Sequence, residues 1–223
     1  YEVRKIIRQS TIEEQKKSLL KAMKYCVEHG LTSVQANDIG EMAEDRDALF
    51  QMYKEVYRDG LAPLRFRHQV CCMTKEHFRT YLEGEYRNKD QYDDMLSMGP
   101  LKLFKDGSLG ARTATMRHEY LDDPGNFGVE ALSDELMDEL VGMAAERDIQ
   151  TVTHVIGDDA IEKTVASYEK VMRNGKNILR NSLIHCQITD RPLMERIHKS
   201  GTLIAYQPVF LQCDMYAVES RCG

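Results

Sequence analysis

Three side chains with a capacity for metal chemistry occupy equivalent places in this sequence. Lys102 lies in the apolar run Leu101-Lys102-Leu103-Phe104, ahead of the glycine-rich stretch Lys105-Asp106-Gly107-Ser108-Leu109-Gly110. His154 closes Gln150-Thr151-Val152-Thr153-His154, and His185 closes Ser182-Leu183-Ile184-His185. A divalent cation such as zinc takes neutral imidazole and carboxylate ligands, so two histidines ending neighbouring parallel strands can meet at one ion although 31 positions apart. A lysine withdrawn from water loses its charge more readily, and the neutral amine is a nucleophile that can add carbon dioxide. The carbamate so formed has the two oxygens of a carboxylate and could bridge two cations, which then acidify a shared water and polarise a substrate carbonyl. Each residue also has an ordinary reading: a histidine hydrogen-bonded in the fold, or an edge lysine whose stem lies on the core while its ammonium reaches water. The shared layout is what favours chemistry.

The elements that must carry these residues are short apolar runs alternating with helical stretches, the pattern of repeated β/α units around a parallel sheet. Thr11 with Glu14 predicts a capped helix bearing Leu19, Leu20, Met23 and Val27, ended by Gly30. Strands are expected at 31–36, 64–72, 100–104, 150–154, 182–185 and 202–206. Helices are expected at 41–58, 74–82, 90–97, from Ser133, around 161–172, and from Asp190 and Pro192 to Gly201. The stretch from Asp106 to Gly128 reads as a long polar loop able to cover a site. Six candidate strands without a linker or compositional break predict one domain over 1–223. Six units are two short of a closed eight-stranded barrel, and an open doubly wound sheet competes with it on pattern alone.

Bulk composition excludes several classes of function. With 223 residues, 42% of them hydrophobic, the chain can bury a sizeable core. A net charge of -6 with both signs interspersed offers no basic face for nucleic acid. The run Glu119, Asp122, Asp123 and Glu130 reads as a solvated loop. Six cysteines without C-x-x-C spacing read as reduced thiols, and no apolar stretch nears the roughly 20 residues that cross a bilayer, so a cytoplasmic location is expected. The chain opens at Tyr1, not methionine, and is expected to be a piece of something longer.

The block from Lys102 to Thr113 (KLFKDGSLGART), then His154-Val155-Ile156-Gly157-Asp158, then Ile184-His185-Cys186-Gln187 with Asp190 and Arg191, then Tyr206-Gln207-Pro208, resembles the amidohydrolase superfamily in order and spacing. The similarity is to the branch containing N-substituted formamide deformylases and covers about 11–210. It implies an α/β fold, a parallel TIM-like (β/α) barrel that is incomplete at about six of eight units. It further implies metals at the C-terminal strand ends, one or two divalent ions, zinc by expectation. In the family's pattern Lys102 is the carbamylated bridging ligand, and His154 and His185 are metal ligands. The family's His-x-His pair and its strand-eight aspartate, both ligand and general base, have no counterpart here, so no catalytic residue is assigned and the isolated chain is expected to turn over little substrate. Asp214 reads as an ordinary loop acid.

Asp106, Arg112 and Gln207 are candidate substrate-binding residues, with turn capping, a surface ion pair and a backbone role as their ordinary alternatives. His118 and His198 are expected to face solvent, and Cys186 to pack away from a metal because strand side chains alternate. The leading reading is part of a metal-dependent hydrolase acting on a non-peptide amide or similar C–N bond of a small molecule. A second reading is a truncated, non-catalytic barrel that binds a ligand, a partner or another copy of itself through exposed sheet edges. A phosphate cradle at Gly107–Gly110 lacks the glycine pattern that would support it.

Overall fold

The computed structural model describes residues 8, 10–37, 46–84, 90–92 and 94–223. In chain order they form α1 (Ile12–Glu28), β1 (Ser33–Ala36), α2 (Arg46–Arg58), β2 (Arg65–Cys71), α3 (Lys75–Glu83), β3 (Asp90–Tyr92) and β4 (Leu96–Phe104). These are followed by α4 (Asp134–Glu146), β5 (Thr151–Val155), α5 (Asp158–Lys170), β6 (Ser182–His185), α6 (Arg191–Ser200), β7 (Leu203–Ala205) and α7 (Val209–Cys222). Every strand except β3 leads into a helix, giving six β/α units of a parallel, TIM-barrel-like fold that is short of eight.

The backbone divides into two compact units, one of residues 1–70 and 86–99, the other of 71–85 and 100–223, with β4 contributing to both. In the first, α1 starts as a full capping box: Thr11 Oγ1 accepts from the Glu14 N–H, and the Thr11 N–H donates back to Glu14 Oε2 at 2.8 Å. β1 runs parallel to β2 with Val34 opposite Phe66. Met23, Met52, Tyr53, Val56, Tyr57, Leu64, Phe66 and Leu96 make its core. Residues 41–45 of the expected second helix lie outside the described residues, as does residue 93. The helix expected over 90–97 is not formed. Asp90 and Tyr92 instead pair antiparallel with Ser97 and Leu96, because Leu96 and Met98 face a buried layer as strand residues do.

The second unit carries the site. Its strands run parallel in the order β4, β5, β6, β7, with Phe104 opposite His154, Val155 opposite His185 and Ile184 opposite Ala205. Leu101, Leu103, Val152, Val155 and Leu183 are buried, as expected of parallel strands covered on both faces. Ser133 and Asp190 cap α4 and α6 through the N–H groups of Leu136 and Leu193, and Gly201 ends α6 at φ 66°. On α4 the inward residues are Met137, Leu140, Val141 and Ala144. Leu136 and Met143 are only half-buried. Tyr168, buried on α5, reaches both neighbouring strands: its hydroxyl bonds to Thr153 Oγ1 at 2.7 Å and donates to the Ser182 carbonyl at 3.1 Å. No helix among the described residues is long and apolar enough to cross a membrane.

Candidate functional site

Strand alternation separates the two lysines of β4 and its exit. Lys105 is fully buried, and its ammonium donates to Glu130 Oε1 at 2.6 Å, to the Leu132 carbonyl at 2.7 Å and to Asp134, a neutralised structural charge. Lys102 projects to the other face together with Phe104. Its Nζ donates to the Leu103 carbonyl at 2.8 Å and sits 3.6 Å from the centre of the Phe104 ring. With only 4% of its surface exposed, the amine loses hydration, and burial draws its pKa down to about 7 despite an opposing pull from Cys71. At neutral pH a large share of Lys102 is therefore uncharged.

His154 and His185 meet edge to face, their ring centroids 4.6 Å apart and their planes at 74°. Phe104 packs against His154 at 5.4 Å, which places Lys102, Phe104, His154 and His185 in one continuous cluster. Both imidazoles are held neutral. Burial is the main cause of the His154 pKa falling to about 4, with the charges of Lys102 and His185 adding to it against a hydrogen bond donated to the Gly107 carbonyl. Burial also lowers His185, opposed by Gln207 and assisted by Lys102. A carbonyl oxygen only accepts, so the 2.6 Å contact between His154 Nε2 and the Gly107 carbonyl places the proton on Nε2 and leaves Nδ1 with a lone pair. The bond from His185 Nδ1 to Gln207 Oε1 leaves Nε2 of that ring as the acceptor.

The Asp106–Gly128 loop is not a solvated flap. Leu109, Ala114, Met116 and Tyr120 are buried against Ile156, and the Tyr120 hydroxyl donates to the Ala114 carbonyl at 2.8 Å. Asp106 ties the loop to the end of β5: its carboxylate accepts from the N–H groups of Thr115 at 3.1 Å, Ile156 at 3.1 Å and Gly157 at 2.8 Å. Burial raises its pKa to about 6 although the three donors and Lys105 oppose the shift. Its Oδ1 is 3.6 Å from His154 Nε2, so it braces the histidine's surroundings. Gly157 allows backbone contact there, since a Cβ on it would lie 1.9 Å from the Thr115 carbonyl oxygen.

The remaining sequence-derived candidates fall in different places. Arg112 makes a two-pronged pair with Asp122, at 3.0 and 2.7 Å, on the outer side of the loop, and is not brought to the cluster. Gln207 is brought to it, through His185. His118 and His198 are exposed. Asp214 lies on α7, not in a loop, and accepts from Gln187 Nε2 at 2.6 Å. Cys186 is buried, but alternation does not decide its direction, because His185 and Cys186 both have left-handed backbones, φ 75° and 51°. Two aromatic residues of the cluster lacked an expectation. Phe104 could have been found two places along the strand from Lys102. Phe210, stacked on His185 at 5.4 Å and 15°, comes from a helix with no apolar periodicity.

The donor set fits a divalent cation in part. Two neutral imidazoles with one committed nitrogen each are what such an ion takes. Among the described residues no group of three His, Cys, Asp or Glu side chains gathers to complete a shell.

The chain is 30% identical over 213 residues to "Putative amidohydrolase YtcJ" of Bacillus subtilis (strain 168), covering 92% of this chain and 37% of that protein. It is 24% identical to "Protein LONG AFTER FAR-RED 3" of Arabidopsis thaliana, covering 97% and 38%. The chain thus spans under two-fifths of the length of these curated relatives. Among solved structures, an uncharacterized metal-dependent hydrolase from Pyrococcus furiosus superposes with a TM-score of 0.81 at 24% identity, covering 98% of this chain and 43% of that one. Its counterpart from Pyrococcus horikoshii OT3 gives 0.80 at 23%, covering 96% and 41%. At these identities the superpositions establish the fold alone. Sequence similarity goes further, for the model of the amidohydrolase family matches residues 2–223. On that match across nearly its whole length, the chain belongs to the amidohydrolase family.

Proposed function

We propose that this chain supplies part of the metal-holding and substrate-facing surface of a metal-dependent hydrolase that cleaves a C–N bond other than a peptide bond in a small molecule. The observation that carries the reading is the contact between His154 and His185, both neutral, each with one ring nitrogen tied down as a donor and the other left to coordinate. Family membership and the metal-dependent hydrolases among its structural neighbours support it. A bound divalent ion, zinc by the preference of imidazole donors, would acidify water and polarise a carbonyl.

The chain's own residues prepare that site in three ways. Gly107 and Gln207 hold the two imidazole protons away from the coordinating nitrogens. Phe104 and Phe210 pack against the two half-buried rings. Lys102, drawn to about 7, presents a neutral amine that can form an N–C bond to carbon dioxide and release one proton to solvent, giving an anionic carbamate.

Elemental analysis of the protein carrying this chain, purified from zinc-supplemented cells, tests the reading. Bound zinc should fall to background in His154→Ala and in His185→Ala, and hydrolysis of a panel of N-acyl and N-formyl amines should fall with it. Zinc retained at full occupancy in the double variant, or no zinc in the native protein, would overturn the proposal.

A further inference from the structure

We propose that Gln207 is a positioning residue for His185, acting through the imidazole and not upon a substrate; this rests on the reading of His185 as metal-facing. At the end of β6 the left-handed backbone of His185 and Cys186 takes the chain out of strand geometry, so the pleat no longer dictates where the ring points. Two neighbours do so instead. Phe210 lies nearly parallel to the ring, at 15°, which fixes its plane but leaves a half-turn about the side-chain axis undecided. Gln207 removes that ambiguity, because its Oε1 accepts from Nδ1 and so leaves Nε2 as the nitrogen with a lone pair.

Both neighbours come from a single turn. Pro208, at φ -58°, opens α7 between them, and the Phe210 N–H donates to the Gln207 carbonyl at 3.1 Å. The ring is therefore held by two side chains of one turn. His154 differs, since its restraint is the Gly107 carbonyl, a main-chain group that substitution does not remove. The aim of His185 hangs on a side chain. An oxygen already engaged by an imidazole is also poorly placed to accept from a substrate.

The test uses metal-free protein labelled with 15N-histidine. Long-range 1H–15N spectra report which ring nitrogen of His185 carries the proton, and zinc titration reports affinity. Native protein and Gln207→Glu, which keeps an acceptor, should show the Nδ1–H form and zinc affinities within about threefold of each other. Gln207→Leu should lose the Nδ1–H form and bind zinc about 10–100-fold more weakly, with unchanged circular dichroism. If that variant fails to fold, Gln207→Asn, one methylene too short to reach, is read in its place with the same expected outcome. Retention of the Nδ1–H form with zinc affinity within about twofold of native would overturn the inference. Should the native protein bind no zinc, the proposed function fails, while the tautomer spectra still decide the role of Gln207.

Discussion

The packing of the loop over the end of β5 gives a sharp prediction at Gly157. Its backbone φ suits any residue, so replacing it by alanine adds only a methyl group, but that methyl would lie 1.9 Å from the Thr115 oxygen, 2.5 Å from the carbonyl carbon and 2.9 Å from the Thr115 nitrogen. All three are main-chain atoms, which cannot swing aside as a side chain can. Reaching even 3.0 Å requires the two segments to part by more than 1 Å. That movement pulls the N–H groups of Thr115 and Gly157 off the Asp106 carboxylate, where they now sit at 3.1 and 2.8 Å. Two buried donors left without partners cost about 1–3 kcal/mol each, so Gly157→Ala should destabilise the protein by roughly 2–6 kcal/mol. Gly142, inside α4 with nothing within 4 Å of its notional Cβ, is the control. There the same substitution should stabilise by about 0.5–1 kcal/mol, because alanine loses less backbone freedom in a helix. Urea denaturation followed by circular dichroism measures both, with an unchanged slope confirming that only stability has moved. Gly157→Ala unfolding within about 0.5 kcal/mol of native would refute the close approach and the role given to Asp106.

Two further outcomes follow from the same unit. Tyr168→Phe should cost about 1–2 kcal/mol in the same assay, since it strands Thr153 Oγ1 and the Ser182 carbonyl in the interior; no loss of stability would mean that the hydroxyl does not tie β5 to β6. Iodoacetamide at pH 8 should label exposed Cys213 well before Cys186, whose thiol burial pushes up to about 11, leaving on the order of a thousandth as thiolate; equal labelling by mass spectrometry would contradict that burial.

Much of this arrangement was legible in the residues because it follows local rules. The limits of β6 match Ser182–His185, an apolar run bounded by polar residues, and Thr11, Thr74, Ser133 and Asp190 all sit at helix starts with side chains accepting from the third residue on. That β5 and β6 are neighbours was legible too, but their register sets Val155 and not His154 opposite His185, so the meeting of the two imidazoles depends on the left-handed backbone at His185. What escaped depends on distant partners. Residues 94–99 look no more like a strand than a helix until β3 pairs with them. The loop after Asp106 is polar on average, yet Leu109, Met116 and Tyr120 find a core only when Ile156 is beside them. In α7 the apolar residues Val209, Leu211, Met215 and Tyr216 point all round the axis and stay exposed, so no periodic face betrays the helix or the arrival of Phe210 at His185.

The two left-handed residues at the exit of β6 have a consequence for sequence tolerance. Non-glycine residues held there cost on the order of 1–3 kcal/mol each, and the fold bears this at the point where an imidazole has to be aimed. Position 186 should consequently obey an inverted preference: valine and isoleucine, the favourites of any ordinary β exit, are the worst occupants, whereas glycine or asparagine would relax the torsion. Glycine there would remove the torsional cost but empty the space that the buried Cys186 side chain fills, so backbone ease and interior packing pull in opposite directions at one peptide unit.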